Sequence, residues 1–142
     1  MHLIEKMVNA ASERPLVNRI ELSVERRKFL KRRWRGTATD GTDFGFDLES
    51  RLTDGCVIFQ NGETDYIVRQ LPEKVYEVPF LNPREGALIG WKVGNLHLPA
   101  QVMESSLRIL HDDAMKQLLE REGWPFTEPD VLFTPMKAMA HI

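Results

Sequence analysis

In the first half of the chain apolar and polar residues alternate in short runs, and in the second half the period lengthens twice to that of a helix. Leu3-Ile4-Glu5-Lys6-Met7-Val8, Arg19-Ile20-Glu21-Leu22 and Trp34-Arg35-Gly36-Thr37-Ala38-Thr39 predict three strands, because alternation and β-branched or aromatic side chains suit a half-buried pleat. Asp40-Gly41 predicts a hairpin turn, since both residues tolerate positive φ, and Asp43-Phe44-Gly45-Phe46-Asp47-Leu48 is the returning strand. Asp54-Gly55 turns the chain again. Cys56-Val57-Ile58-Phe59 and Asp65-Tyr66-Ile67-Val68-Arg69 then flank the turn pair Asn61-Gly62. Short strands so closely spaced, with no helix among them, predict a small sandwich or barrel.

Leu71-Pro72-Glu73 breaks that rhythm. A strand over residues 74–79 is followed by Asn82-Pro83-Arg84-Glu85, which reads as N-cap, proline at the first helical position and a glutamate that closes a capping box. Leu88, Ile89 and Trp91 supply the apolar stripe of that helix and Gly94 its end. Strands over residues 96–103 and 107–110 follow, joined by Glu104-Ser105-Ser106. A second helix opens at Asp112 or Asp113, buries Met115, Leu118 and Leu119, and stops at Gly123. A last strand over residues 125–133 completes a βαββαβ order, the ferredoxin-like plan. The predicted fold class is α+β: a small all-β N-terminal domain over residues 1–71, then a ferredoxin-like C-terminal domain over residues 72–142 with a short tail.

Composition narrows the possibilities. With 42% apolar and 28% charged residues the chain can build a core. Cys56 is the single cysteine, so neither an intrachain disulfide nor a thiolate metal cluster can form, and its place in an apolar strand predicts an inert core thiol. The first residues are charged by the fifth position and no window reaches the roughly 18 apolar residues of a membrane span, so a cytoplasmic protein without a membrane partner is expected. Net charge is −2, yet Arg26, Arg27, Lys28, Lys31, Arg32, Arg33 and Arg35 form a basic run without an acid. One reading is a charged strand edge and turn; the other is an RNA- or DNA-binding module that uses the run from Arg26 to Arg35, with Phe29 and Trp34 interleaved. RNA-recognition domains of ferredoxin-like plan carry exposed aromatics on their central strands, and these strands offer no matching pair. No nucleophile elbow, phosphate-cradling glycine loop or His-Glu-x-x-His helix occurs, so an enzyme is not expected.

The four histidines are His2, His97, His111 and His141. In Gly94-Asn95-Leu96-His97-Leu98-Pro99 a histidine stands where a helix has ended, a place where its imidazole can face outward and bind a metal. One imidazole holds a divalent transition metal weakly, so further ligands must come from His111, from the tail or from a second copy of the chain. Asp112 and Asp113, after His111, read as helix caps.

Gly94-Asn95-x-His97-x-Pro99, then Leu107-Arg108 and His111-Asp112 before a helix, over a β domain plus βαββαβ layout, resembles the UreE family of urease accessory nickel chaperones. Glu25-Arg26-Arg27-Lys28, Arg32-Arg33-Trp34-Arg35, Asp40-Gly41 and Asp54-Gly55 look like that family's N-terminal domain. The resemblance implies that His97 is the principal nickel ligand, one from each subunit of a homodimer formed through the C-terminal domain. It places His111 on the first residue of a secondary His-x-His site, whose second position here is Asp113. Tail histidines of the family can complete the coordination, which makes His141 a candidate tail ligand. The implied cargo is Ni(II), with Zn(II) or Cu(II) as competitors in vitro. The implied partners are the urease-accessory GTPase and the urease activation complex, and the implied function is delivery of nickel to apo-urease.

Overall fold

A computed structural model describes residues 1–136. The chain divides into two compact units, Met1–Leu71 and Pro72–Ile142, and among the described residues β-sheets combine with two α-helices in an α+β architecture. No helix of the described residues is long and apolar enough to cross a membrane.

The first unit contains β1 (His2–Ile4), β2 (Arg19–Val24), β3 (Arg33–Thr37), β4 (Asp43–Asp47), β5 (Val57–Asn61) and β6 (Thr64–Gln70), with 3₁₀ turns at Leu16–Asn18 and Arg26–Leu30. They form two three-stranded sheets, ordered β1-β4-β3 and β2-β6-β5. Within each sheet one pairing is parallel, β1 with β4 and β2 with β6, and the hairpin pairings are antiparallel. The strand expected over residues 3–8 ends at Ile4, after which the Val8 N–H turns to the Val57 carbonyl at 2.7 Å. Phe44 is fully buried among aromatic neighbours, 5.4 Å from the Tyr66 ring and 5.8 Å from the Phe59 ring. The Tyr66 hydroxyl donates to Asp40 Oδ2 at 2.6 Å and so fastens the Asp40-Gly41 turn, where Gly41 takes φ +89°. Asp65 is a buried carboxylate, satisfied by the Ser12 hydroxyl at 2.6 Å, the Gln60 amide at 2.9 Å and the Arg14 guanidinium at 2.9 Å. It anchors the loop before β2 to β6.

The second unit runs β7 (Glu73–Pro79), α1 (Pro83–Gly94), β8 (Ala100–Val102), β9 (Ser106–Leu110), α2 (Asp113–Glu122) and β10 (Asp130–Val131). The sheet order is β10-β7-β9-β8, and every adjacent pair is antiparallel. Asn82 Oδ1 accepts from the Glu85 N–H at 2.8 Å and starts α1; Asp112 Oδ1 accepts from the Ala114 N–H at 2.8 Å and starts α2, which Gly123 ends at φ +69°. Ile89 and Val93 from α1, with Met115, Leu118 and Leu119 from α2, pack on Tyr76, Val78, Leu107 and Ile109. Each such aliphatic side chain contributes about 1.5–3 kcal/mol by leaving water. Lys92 Nζ meets Glu122 Oε1 at 2.7 Å and joins the two helices.

Three further expectations need correction. The inward stripe of α1 is Ile89 and Val93, not Leu88, Ile89 and Trp91: Leu88 is 53% and Trp91 75% exposed. Trp91 lies two residues past Ile89, about 200° around the helix, and so points away from the sheet. The strand expected over residues 96–103 shrinks to Ala100–Val102, because turns following α1 consume its first half. The one expected over residues 125–133 shrinks to Asp130–Val131, since Pro125 and Pro129 lack the N–H a ladder needs, while Thr127 makes an isolated bridge to Glu77.

Candidate metal centre

Past Gly94 the chain tightens. The Asn95 N–H bonds to the Lys92 carbonyl at 3.3 Å, the Leu96 N–H to Val93 at 3.0 Å and the His97 N–H to Gly94 at 3.3 Å, a run of i to i−3 bonds in 3₁₀ style. His97 then adopts φ +56°, the single non-glycine residue at positive φ among the described residues. Leu96 and Leu98 on either side pack against the core cluster of this unit, and His97 between them is exposed. Two apolar anchors thus hold the imidazole outward. Pro99 fixes the exit from the turn, and its carbonyl accepts from the Leu110 N–H at 3.1 Å, which ties the His97 turn to the end of β9. Among the described residues no hydrogen bond, ion pair or ring contact engages the His97 imidazole.

His111 follows Leu110 directly and is engaged on two sides. Its ring stacks on Tyr76, with centroids 4.3 Å apart and 16° between planes, and Nε2 lies 2.8 Å from Glu128 Oε1. Burial, then the carboxylates of Glu128, Asp113, Glu120 and Asp112, push the Tyr76 phenol above its usual range, so this end of the unit is acidic. Asp112 serves as the N-cap of α2 and Asp113 lies in its first turn. His2 is stacked on Phe59 at 4.2 Å in the first unit. Cys56 is fully buried, and burial raises its thiol above the usual value, as suits an inert core residue. His141 lies outside the described residues. Among the described residues no three His, Cys, Asp or Glu side chains are grouped to hold a metal ion.

Sequence reasoning missed two features of this neighbourhood: the outward apolar face of α1 and the Tyr76–His111–Glu128 arrangement. The first was visible as a choice between Ile89 with Val93 and Leu88 with Trp91 for the buried face. The second joins residues 17 and more positions apart and had no local signal.

The basic run of the first unit folds as a 3₁₀ turn followed by β3. Its two aromatics face inward: Phe29 is buried, and Trp34 stacks on Phe46 at 3.8 Å. Arg32 and Arg33 both bond Asp47, at 3.0 and 3.3 Å. A stacking platform for unpaired bases needs exposed rings, so this run offers charge without one.

The model of the UreE urease accessory protein C-terminal domain matches residues 73–141. The chain is 34% identical over 109 residues to the urease accessory protein UreE of Chelativorans sp. (strain BNC1), covering 74% of this chain and 68% of that protein. It is 30% identical over 115 residues to the UreE of Bacillus cereus (strain ATCC 10987 / NRS 248), covering 79% of this chain and 76% of the relative. These likenesses, on an α+β fold with an outward histidine, define a urease accessory protein. The chain belongs to the UreE family of urease accessory proteins, and its role lies in urease maturation.

Proposed function

We propose that the chain is a cytoplasmic nickel metallochaperone that binds Ni(II) between the His97 residues of two copies and passes it on for insertion into apo-urease. The observation that carries this reading is an exposed imidazole, without a side-chain partner among the described residues, on a turn that follows the exposed apolar residues of α1. Leu88 and Trp91, with Ala87 and Gly94, make the outward side of α1 apolar over its last turns. A two-fold axis beside that face gives an isologous interface, in which a residue near the axis meets its own symmetry mate. Two imidazoles then share one ion, which a single chain could bind only weakly. The sheet order β10-β7-β9-β8 with two helices agrees with the ferredoxin-like plan for this metal-binding and dimerisation domain, residues 72–142. Residues 1–71 form the domain that docks partners, the urease-accessory GTPase and the activation complex among them.

The tail completes the picture. The Met136 N–H bonds to the Ala100 carbonyl at 2.8 Å, three residues from His97. His141, five residues further on and outside the described residues, is the tail ligand in this reading. His111, held by Tyr76 and Glu128 and followed by Asp113 at the second position, serves at most as a secondary ligand. Few ligands on an open seam favour release over storage, and because imidazole binds zinc and copper too, selection rests on geometry and supply. Protons compete for imidazole nitrogen, so acid weakens retention.

The test is Trp91→Glu, a change at a three-quarters exposed position that leaves the fold of the unit intact by circular dichroism. Expected are monomers by light scattering and a nickel affinity lower by tenfold or more, about 1.4 kcal/mol or above. A dimer that persists with full nickel binding would overturn the paired-histidine site. Truncation after Met136 is expected to weaken nickel binding while keeping one ion per two chains. An unchanged isotherm would remove His141 from the ligand set.

A further inference from the structure

The first unit carries a pocket of about 230 Å³ that the metal site leaves unused. One wall is the end of the 3₁₀ turn, with Leu30, Lys31 and Arg32; the other is the chain leaving β4, with Leu48, Glu49 and Arg51. We propose that this pocket receives an acidic side chain from an extended, acidic and partly apolar segment of a partner protein. The proposal deepens the docking role given above to residues 1–71 and supplies its recognition chemistry.

Charge is the first argument. Lys31, Arg32 and Arg51 face a single lining carboxylate, Glu49. Arg32 shares its charge with Asp47, but Lys31 and Arg51 have no carboxylate partner among the described residues. Two exposed cations across one small concavity attract a carboxylate and gain from it what they lack within the chain. The second argument is apolar surface: Leu48 is buried at the base, while Leu30 is 54% exposed at the rim. A lone inorganic anion has no use for that leucine, whereas a peptide that alternates acidic and aliphatic residues satisfies both kinds of wall. Size is the third. Small-molecule and cofactor sites run to about 300–1,000 Å³, so this pocket fits a side chain better than a metabolite.

The walls are also fixed in advance. The Leu48 N–H bonds to the Arg32 carbonyl at 3.0 Å, and the Glu49 N–H to the Glu5 carbonyl at 2.8 Å. A pocket held by backbone ladders loses little entropy on binding. A nucleic acid is the lesser occupant, because Phe29 and Trp34, the aromatics of the same run, are inside the core and cannot stack on bases.

The experiment is fluorescence anisotropy on the full chain with a labelled peptide of alternating glutamate and leucine, beside its lysine-leucine counterpart and a labelled oligothymidylate. Expected is saturable binding of the acidic peptide that weakens with salt and falls tenfold or more in the Lys31→Glu, Arg51→Glu double variant. Leu30→Ser is expected to weaken it as well. Absence of binding, equal binding by the double variant, or tighter binding of the oligothymidylate would overturn the proposal. Both cations are exposed, so the double variant keeps its fold, and its nickel isotherm reports the His97 site separately.

Discussion

On the proposed function, replacing His97 by glycine is expected to abolish nickel binding and, in the same protein, to raise the stability of the fold. The two effects have one origin. At φ +56° an L side chain is crowded against its own backbone, which costs about 1–2 kcal/mol, and glycine escapes that cost. Glycine also gives the unfolded chain more freedom, which takes back about 0.5–1 kcal/mol. The net gain of His97→Gly is therefore up to about 1.5 kcal/mol. His97→Ala keeps a Cβ and the crowding, so it loses the metal without the gain, and the glycine variant melts higher than the alanine variant. Calorimetric titration with nickel and thermal melts of the three proteins decide the matter. Full binding by His97→Gly would remove this residue from the site; a glycine variant less stable than the alanine one would mean that the turn is unstrained. A residue held in a costly conformation with an unengaged side chain is what a site under functional demand looks like.

The second large effect belongs to Asp65→Ala, in the other unit. Burial pushes the Asp65 carboxyl toward protonation, but the Ser12 and Gln60 hydrogen bonds and the Arg14 and Arg19 guanidiniums outweigh it and hold the group below its ordinary value of 3.8. Removing the carboxylate leaves Gln60, Ser12 and a part-buried Arg14 without their common partner. The expected loss is about 2–4 kcal/mol. For a unit of this size that lowers the melting temperature by about 10 °C or more. The pH dependence has a definite sign. Because the folded group titrates lower than the unfolded one, its stabilisation is complete above about pH 4, the unfolded range, and is lost as pH falls through the lower folded value. The parent chain should therefore show an acid limb of unfolding that Asp65→Asn flattens. Chemical denaturation of both at neutral pH and in acid measures it; equal stability at neutral pH would show that the node is dispensable.

How much of this was legible varied with the range of the interaction. The N-caps of both helices and the glycine stop of α2 were readable because Asn82, Pro83, Asp112 and Gly123 act within one turn of where they stand, whereas α1 ends at Asn95 without a left-handed glycine. The hairpin turns at Asp40-Gly41 and Asn61-Gly62 were readable for the same reason. Which face of α1 is buried was not, because Leu88, Ile89, Trp91 and Val93 surround the helix and only the sheet selects Ile89 and Val93. The outward placement of His97 was suggested by Gly94 and Pro99, yet its cause, the inward pull of Leu96 and Leu98, needs the core to be present. The stack of His111 on Tyr76 and its bond to Glu128 unite three segments. Such a meeting leaves no mark on local pattern.

The parallel pairing of β1 with β4 and of β2 with β6 sets the order in which the first unit can form. Parallel strands cannot be closed by a tight turn, so neither pair can form until the chain between its members has been made. While the chain is being synthesised, β2 lacks its neighbour until residues 64–70 have emerged, and β1 lacks its own until residues 43–47 have. In the second unit β7 likewise lacks its outer neighbour until residues 130–131 have emerged. Non-local closure is the slow step in folding. Each unit thus passes through a period with open strand edges while it is being made, and it is in this period that the chain is most exposed to misassociation.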